Sequence, residues 1–162
     1  MFKKIAALLI IVLFSVPSVQ AEMTSAPGDY SLRIKMGPAF NVQNWEDQLR
    51  VGGEFDYEMG YNMGVNFLTL VGVGDNFRFQ MIPSLRYDYL YIGPASFHGL
   101  LGLGYGRLEN QNTLDMRLGT GIVLPLGDHY EVSSDINFFT SLAGASGTPI
   151  TMEWLLGFGF KF

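Results

Sequence analysis

The sequence predicts an all-β protein, an eight-stranded antiparallel up-and-down transmembrane β-barrel preceded by a cleavable signal peptide. Three observations carry this. Apolar residues recur on every second position over eight long segments. Glycine contributes 20 of the 162 residues and aromatics 14%. Charged residues make up only 15%, against about a quarter in ordinary soluble domains. No stretch after residue 21 holds a helical period, because glycine interrupts nearly every run long enough for one.

The first element is not part of the barrel. Met1-Phe2-Lys3-Lys4 is a basic head, Ile5 to Phe14 is an unbroken apolar run, and Val19-Gln20-Ala21 offers the small residues of a cleavage site. Spanning a bilayer as a helix takes about 20 apolar residues, and Ser15, Pro17, Ser18 and Gln20 break the run before that length. The expected organisation is a signal peptide at 1–21 and one barrel domain at 22–162. Cleavage removes Lys3 and Lys4 but no acid, so a chain already at −5 becomes more acidic. That balance gives no basic surface for nucleic acid. With no cysteine, the exported chain has neither disulfides nor the lipid-anchoring cysteine of a lipoprotein.

The strands follow in order. Alternating segments run from about Asp29 to Phe40, Leu49 to Glu58, Asn62 to Val71, Phe77 to Ile92, Ser96 to Leu108, Thr113 to Leu126, Tyr130 to Leu142 and Ile150 to Phe162. Turn-forming clusters separate them: Asn41 to Gln48, Met59 to Tyr61, Gly72 to Asn76, Gly93-Pro94-Ala95, Glu109 to Asn112, Gly127-Asp128-His129 and Ala143 to Pro149. Connections this short favour sequential hairpins, and an even number of long strands so joined closes into a barrel. The faces separate cleanly. In the first strand Leu32, Ile34 and Met36 oppose Arg33, Lys35 and Gly37. In the sixth, Leu114, Met116, Leu118, Ile122 and Leu124 oppose Asp115, Arg117, Gly119 and Gly121.

Alternation alone does not say which face is outside, since a soluble lipocalin-type barrel alternates as well. Volume decides. An eight-stranded interior is just wide enough for side chains to fill, and the apolar face carries Phe, Tyr, Trp, Leu or Met at most positions. The other face mixes long charged side chains with glycines, as a narrow lumen requires. The apolar face is therefore expected to look outward, which is stable only in lipid. Each segment meets the roughly 9 to 11 residues that a tilted membrane strand needs. Tyr30, Tyr57, Tyr61, Tyr89, Tyr91 and Tyr130 are expected at one rim, the periplasmic one, with Phe97 and Phe162, as an interfacial girdle. Phe40, Phe77 and Tyr105 mark the other rim less completely.

The signal peptide, the eight strands with short turns, the Gly102-Leu103-Gly104-Tyr105-Gly106 repeat and a last strand closing on Phe162 together resemble the small outer-membrane β-barrel proteins, the OmpA/OmpX-like membrane domains. The resemblance covers all of 22–162 through motifs of the superfamily rather than of one member. It implies residence in the bacterial outer membrane, lipid as the surrounding partner, and a monomer without cofactor. It also implies that Phe158, Phe160 and Phe162 form the signal read by the barrel-assembly machinery, with periplasmic chaperones as earlier partners. Short outer loops and the lack of a peptidoglycan-binding domain speak against adhesion and cell-wall tethering.

For the lumen the sequence offers a charge network of Arg33, Lys35, Arg50, Glu54, Asp56, Arg78, Arg86, Asp88, Asp115, Arg117, Glu131, Asp135, Glu153 and Lys161. Pairing hairpins about their turn centres sets Arg33 opposite Asp56, Lys35 opposite Glu54, Glu131 opposite Lys161, and Asp88 opposite His98. Asp115 and Arg117 then face Gly106 and Gly104. Buried charges need such partners, because an unpaired one costs several kcal/mol. The favoured reading is a plug that holds the lumen shut in a structural role. The alternative is a narrow, porin-like gate for ions or small solutes. A lipid-modifying enzyme is less favoured, since only His98 and His129 are available and both lie near periplasmic turns; the one candidate cluster is His98 with Asp88 and Ser96. Glu46-Asp47 lacks further ligands at a metal-binding spacing. Trp45, flanked by Asn44, Glu46 and Asp47, is read as an interface anchor rather than as a surface-binding residue.

Overall fold

The computed structural model describes residues 27–42, 47–74, 77–108, 111–144 and 150–162. The signal-peptide reading and Trp45 fall outside the described residues. Eight strands follow one another: β1 (Tyr30–Asn41), β2 (Asp47–Gly60), β3 (Met63–Val73), β4 (Arg78–Ile92), β5 (Ala95–Leu108), β6 (Gln111–Leu126), β7 (Tyr130–Ala143) and β8 (Ile150–Lys161). Each pairs antiparallel with its sequence neighbours, and β8 pairs with β1, so the sheet is a closed barrel.

The turns between β2 and β3, β4 and β5, and β6 and β7 define one end, here the near rim, where β1 begins and β8 finishes. The first of them is the two-residue loop Tyr61-Asn62, both at positive φ (54° and 61°). Two positive values in a two-residue hairpin are the type I′ requirement, whose twist matches that of the strands. Tyr61 takes the left-handed conformation, which disfavours most side chains by about 1–2 kcal/mol. Gly93-Pro94 follows the II′ logic, with φ +58° at Gly93 and proline in second place.

The two faces separate as the alternation predicts. Leu32, Ile34, Met36, Leu101, Leu103 and Leu156 point outward, each more than half exposed. Arg33, Lys35, Arg117 and Glu153 point inward and are at most 2% exposed. The barrel wall is thus apolar outside and largely polar inside.

Partners differ from the sequence expectation at three hairpins. Arg33 pairs with Glu54, not Asp56, and Lys35 with Gly52. Arg117 pairs with Gly102 and Asp115 with Gly104, and Glu131 with Gly159 rather than Lys161. Each is a slip of two residues, which keeps every side chain on its face and changes only its neighbour. At the β1–β2 and β5–β6 hairpins the cause is common: β2 and β6 start earlier than their apolar pattern does, and the added residues are polar, Asp47 and Gln48, and Gln111 and Asn112. β8 begins at Ile150 as expected, and its slip lies in the pairing alone, with Thr140 opposite Ile150. Asp88 does pair with His98 as expected.

Candidate functional site

The lumen is the candidate site, and its side chains stack in three layers. The near-rim layer is built around Arg33. Its Nη1 donates to Glu54 Oε1 at 2.7 Å and to Asp56, and its Nε donates to Glu131 Oε1 at 2.5 Å. Lys35 reaches Glu54 at 3.0 Å, pairs with Asp135, and donates to Ser133 Oγ at 2.7 Å. Arg86 holds Asp88 with two hydrogen bonds, at 2.8 and 2.9 Å, and Glu58 at 3.1 Å. Arg117 reaches down into this layer, donating to Asn66 Oδ1 at 2.5 Å and Asn137 Oδ1 at 2.8 Å and lying 3.5 Å from Glu54. Burial makes such pairs obligatory, since removing either member strands a charge.

The far-rim layer is smaller. Asp115 accepts from Gln80 Nε2 and Ser141 Oγ at 2.7 Å each, and from Arg78 Nη2 at 3.3 Å. Arg78 also donates to Thr151 Oγ1 at 2.8 Å. Arg50 Nε lies 3.2 Å from Glu153 Oε1, an ion pair by distance whose geometry does not align as a hydrogen bond.

Between the two lies an apolar layer that the sequence reading did not foresee: Leu68, Leu70, Ile82, Phe139 and Leu155, all at most 1% exposed. Their places follow from strand order. On β4 the inward sequence is Arg86, Ser84, Ile82, Gln80, Arg78, so Ile82 sits between the charged layers. On β7 Phe139 lies between Asp135 and Ser141, and on β8 Leu155 lies between Gly157 and Glu153. The signal was present in the spacing. Leu68, Leu70 and Leu155 occupy the polar beat of their strands.

Glycines make room for the charges. A Cβ added at Gly106 would strike the Asp115 carboxylate, and one at Gly121 the Asp135 carboxylate. The missing side chains at Gly106 and Gly121 are the space these two carboxylates occupy.

Every member of the expected network except Lys161 is at most 6% exposed. Lys161 instead sits on the near rim, 2.9 Å from Asp29 and a quarter exposed, because its strand ends there. It lines a small mouth cavity of ≈ 40 Å³ with Arg33, Asp56, Glu58, Arg86 and Glu131, room for a few waters. His98 is also corrected. Its ring does not join Asp88 and Ser96 but places Nε2 3.0 Å from Asp135 Oδ1.

One girdle residue moves inside. Tyr30, Tyr57, Tyr61 and Tyr130 are exposed at the near rim, and Tyr89 is partly exposed, its hydroxyl 3.0 Å from Thr120 Oγ1. Tyr91 is 9% exposed and donates to Asp88 Oδ2 at 3.2 Å. The reason is a β-bulge between Asp88 and Leu90, which puts Tyr89 and Leu90 on the same side and flips the beat beyond them. Phe162 stacks on Tyr30 with ring centroids 5.1 Å apart, and Tyr130 packs on Phe160 at 4.9 Å and on Phe158 at 6.0 Å. The Phe162 ring thus bridges the closing seam to β1, and Phe158 and Phe160 brace the neighbouring seam to β7.

Solved structures resemble this arrangement. The N-terminal β-barrel domain of Pseudomonas aeruginosa OprF superposes with a TM-score of 0.66 at 12% identity, over 85% of this chain and 100% of that one. The fold is that of the small outer-membrane β-barrels. Neisserial surface protein A matches with a TM-score of 0.66 at 10% identity, over 85% and 98% of the two chains. Ail, the attachment invasion locus protein of Yersinia pestis, matches at 0.59 and 15% identity, over 85% and 100%. No family model and no curated protein matches the sequence. What this chain shares with these outer-membrane barrels is the fold; its lumen is described by its own residues.

Proposed function

We propose that the protein is an integral outer-membrane β-barrel with a sealed lumen and a structural role in the membrane, exported through the inner membrane by a signal peptide at 1–21 that is then cleaved. The observation that carries the seal is the middle layer: Leu68, Leu70, Ile82, Phe139 and Leu155 are at most 1% exposed, with ion pairs closing the lumen on either side. An apolar constriction resists wetting, and hydrated ions lose their shells in it at high cost. The membrane reading is supported by the outward belt, which would be an aggregation surface in water and is at home in hydrocarbon.

The reading without catalysis is supported by His98, which is 3% exposed and held by a buried carboxylate rather than beside a nucleophile. A narrow gate is the second reading, favoured by one observation: Arg33 and Lys35 share Glu54, so partners in the near-rim layer can exchange. Lipid surrounds the barrel, a monomer suffices for closure, and Phe158, Phe160 and Phe162 serve as the assembly signal. Fractionation tests the location: the protein should stay with outer membranes through salt and alkaline washes, and recovery in the soluble fraction would reject it. Liposome swelling tests the seal: vesicles carrying the protein should swell in small sugars no faster than empty ones, and faster swelling would favour the gate.

A further inference from the structure

Two seams of the wall lapse, and each lapse carries a proline. Between β1 and β8 the register runs from Ser31↔Lys161 to Met36↔Leu156, lapses at Gly37 and Pro38, and resumes at Ala39↔Glu153. Between β4 and β5 it lapses at Ile82 and Pro83, between Met81↔Tyr105 and Ser84↔Gly102. The chemistry is the same at both. Tyr30 and Phe162 exchange backbone hydrogen bonds, and the Val42 N–H donates to Ile150. The even-numbered amides of β1 are therefore aimed at β8, and Pro38, on that beat opposite Trp154, has no N–H to give. On β4 the Asp88 N–H goes to Asn62, on the β3 side, so the odd-numbered amides before it face β5. Pro83 is on that beat. Proline within a sheet is otherwise confined to edges and bulges, and in hydrocarbon no water replaces the missing donor.

Both lapses back onto the apolar layer. Continuing the register places Leu155 opposite Gly37 and Ile82 opposite Gly104, and both Leu155 and Ile82 belong to the buried cluster. The glycines add no side chain: a Cβ at Gly37 would strike the Trp154 carbonyl, and one at Gly104 the Met81 carbonyl. In strand order the two seams lie half a barrel apart. The ladder thus lacks a donor in two opposite places, and the inward residue at each, Leu155 or Ile82, belongs to the apolar layer.

We propose that the apolar layer is a binding site for a single hydrocarbon chain, admitted sideways from the bilayer by parting of a proline-bearing seam. The proposal rests on the membrane reading above. Parting costs least where the ladder already lacks a donor. A chain that displaces Leu155 or Ile82 meets Leu68, Leu70 and Phe139, so it exchanges one apolar surrounding for another. The ion-pair layers on either side hold it at that height, since an apolar chain among buried charges breaks pairs and replaces none of them. Entry is lateral, so it opens no water path along the barrel axis.

Methyl-labelled, otherwise deuterated protein in nanodiscs of chain-protonated phospholipid tests this by nuclear Overhauser contacts. Outward methyls of Leu101 and Leu156 should show cross-peaks to acyl chains; their absence would sink the membrane reading itself. The proposal expects further cross-peaks to the inward methyls of Leu155 and Ile82, lost in a Pro38→Ala/Pro83→Ala variant that restores both donors. Repeating the experiment with chain-deuterated phospholipid and added protonated palmitate separates a lipid chain from a free acid. Cross-peaks confined to outward methyls in both arms, or inward cross-peaks undiminished in the double variant, would overturn it.

Discussion

The Arg33 guanidinium donates to Glu131 Oε1 at 2.5 Å through Nε and to Glu54 Oε1 at 2.7 Å through Nη1, so one side chain of β1 ties β2 to β7 across the lumen. Replacing it with methionine leaves Glu54, Asp56 and Glu131 short of a cation in a buried setting. Arg33→Met should lower unfolding stability in detergent micelles by about 3–5 kcal/mol. Arg33→Met/Glu131→Gln should recover part of that loss. Urea titrations followed by tryptophan fluorescence check both, and a single variant within experimental error of the parent would remove Arg33 from the centre of the network.

Gly121, on the lumen beat of β6, and Gly53, on the outward beat of β2 opposite Ile34, make a contrast in packing. Gly121→Ala drives a Cβ into the Asp135 carboxylate and the Ser134 carbonyl, so it should cost about 1–3 kcal/mol as an overpacking change. Gly53→Ala meets nothing closer than the Arg33 carbonyl at 3.8 Å and should stay within about 0.5 kcal/mol of the parent. Thermal shifts of gel mobility would compare the two side by side.

Phe162 holds the closing seam as well as ending it. Its N–H donates to the Tyr30 carbonyl at 2.8 Å, and its ring stacks on Tyr30. Phe162→Ala should weaken the folded barrel by about 0.5–1.5 kcal/mol beyond lost burial, measured by unfolding after spontaneous insertion into lipid vesicles, where no assembly machinery acts. A stability unchanged in vesicles would leave the residue with a signalling role alone.

The strands, their number and their two faces were legible because a period of two survives any error in pairing. Partners were less so. Arg33 lands on Glu54 instead of Asp56 because the far ends of β2 and β6 are polar strand, Asp47-Gln48 and Gln111-Asn112, which composition alone reads as loop. Tyr91 went to the wrong face because a bulge at Asp88–Leu90 inserts a residue without any glycine to announce it. The apolar layer escaped notice for a different reason. Ile82, Phe139 and Leu155 sit singly on the inward beats of separate strands, only Leu68 and Leu70 fall together, and only closure of the barrel brings the five side by side.

Heat should also unmask the fold directly. A closed barrel whose ladders are all protected in detergent resists sodium dodecyl sulfate until boiled, so unheated protein should migrate differently from heated protein. Identical mobility of the two samples would argue against a closed barrel.

The most direct test of a sealed barrel is single-channel recording in planar bilayers, with the parent and a Leu68→Ala/Leu155→Ala variant that hollows the middle layer. The account predicts silence from the parent at moderate voltage and discrete steps once the two leucines are cut back. Steps from the parent that disappear or change size in Arg117→Ala would contradict it and make the lumen a gated pore.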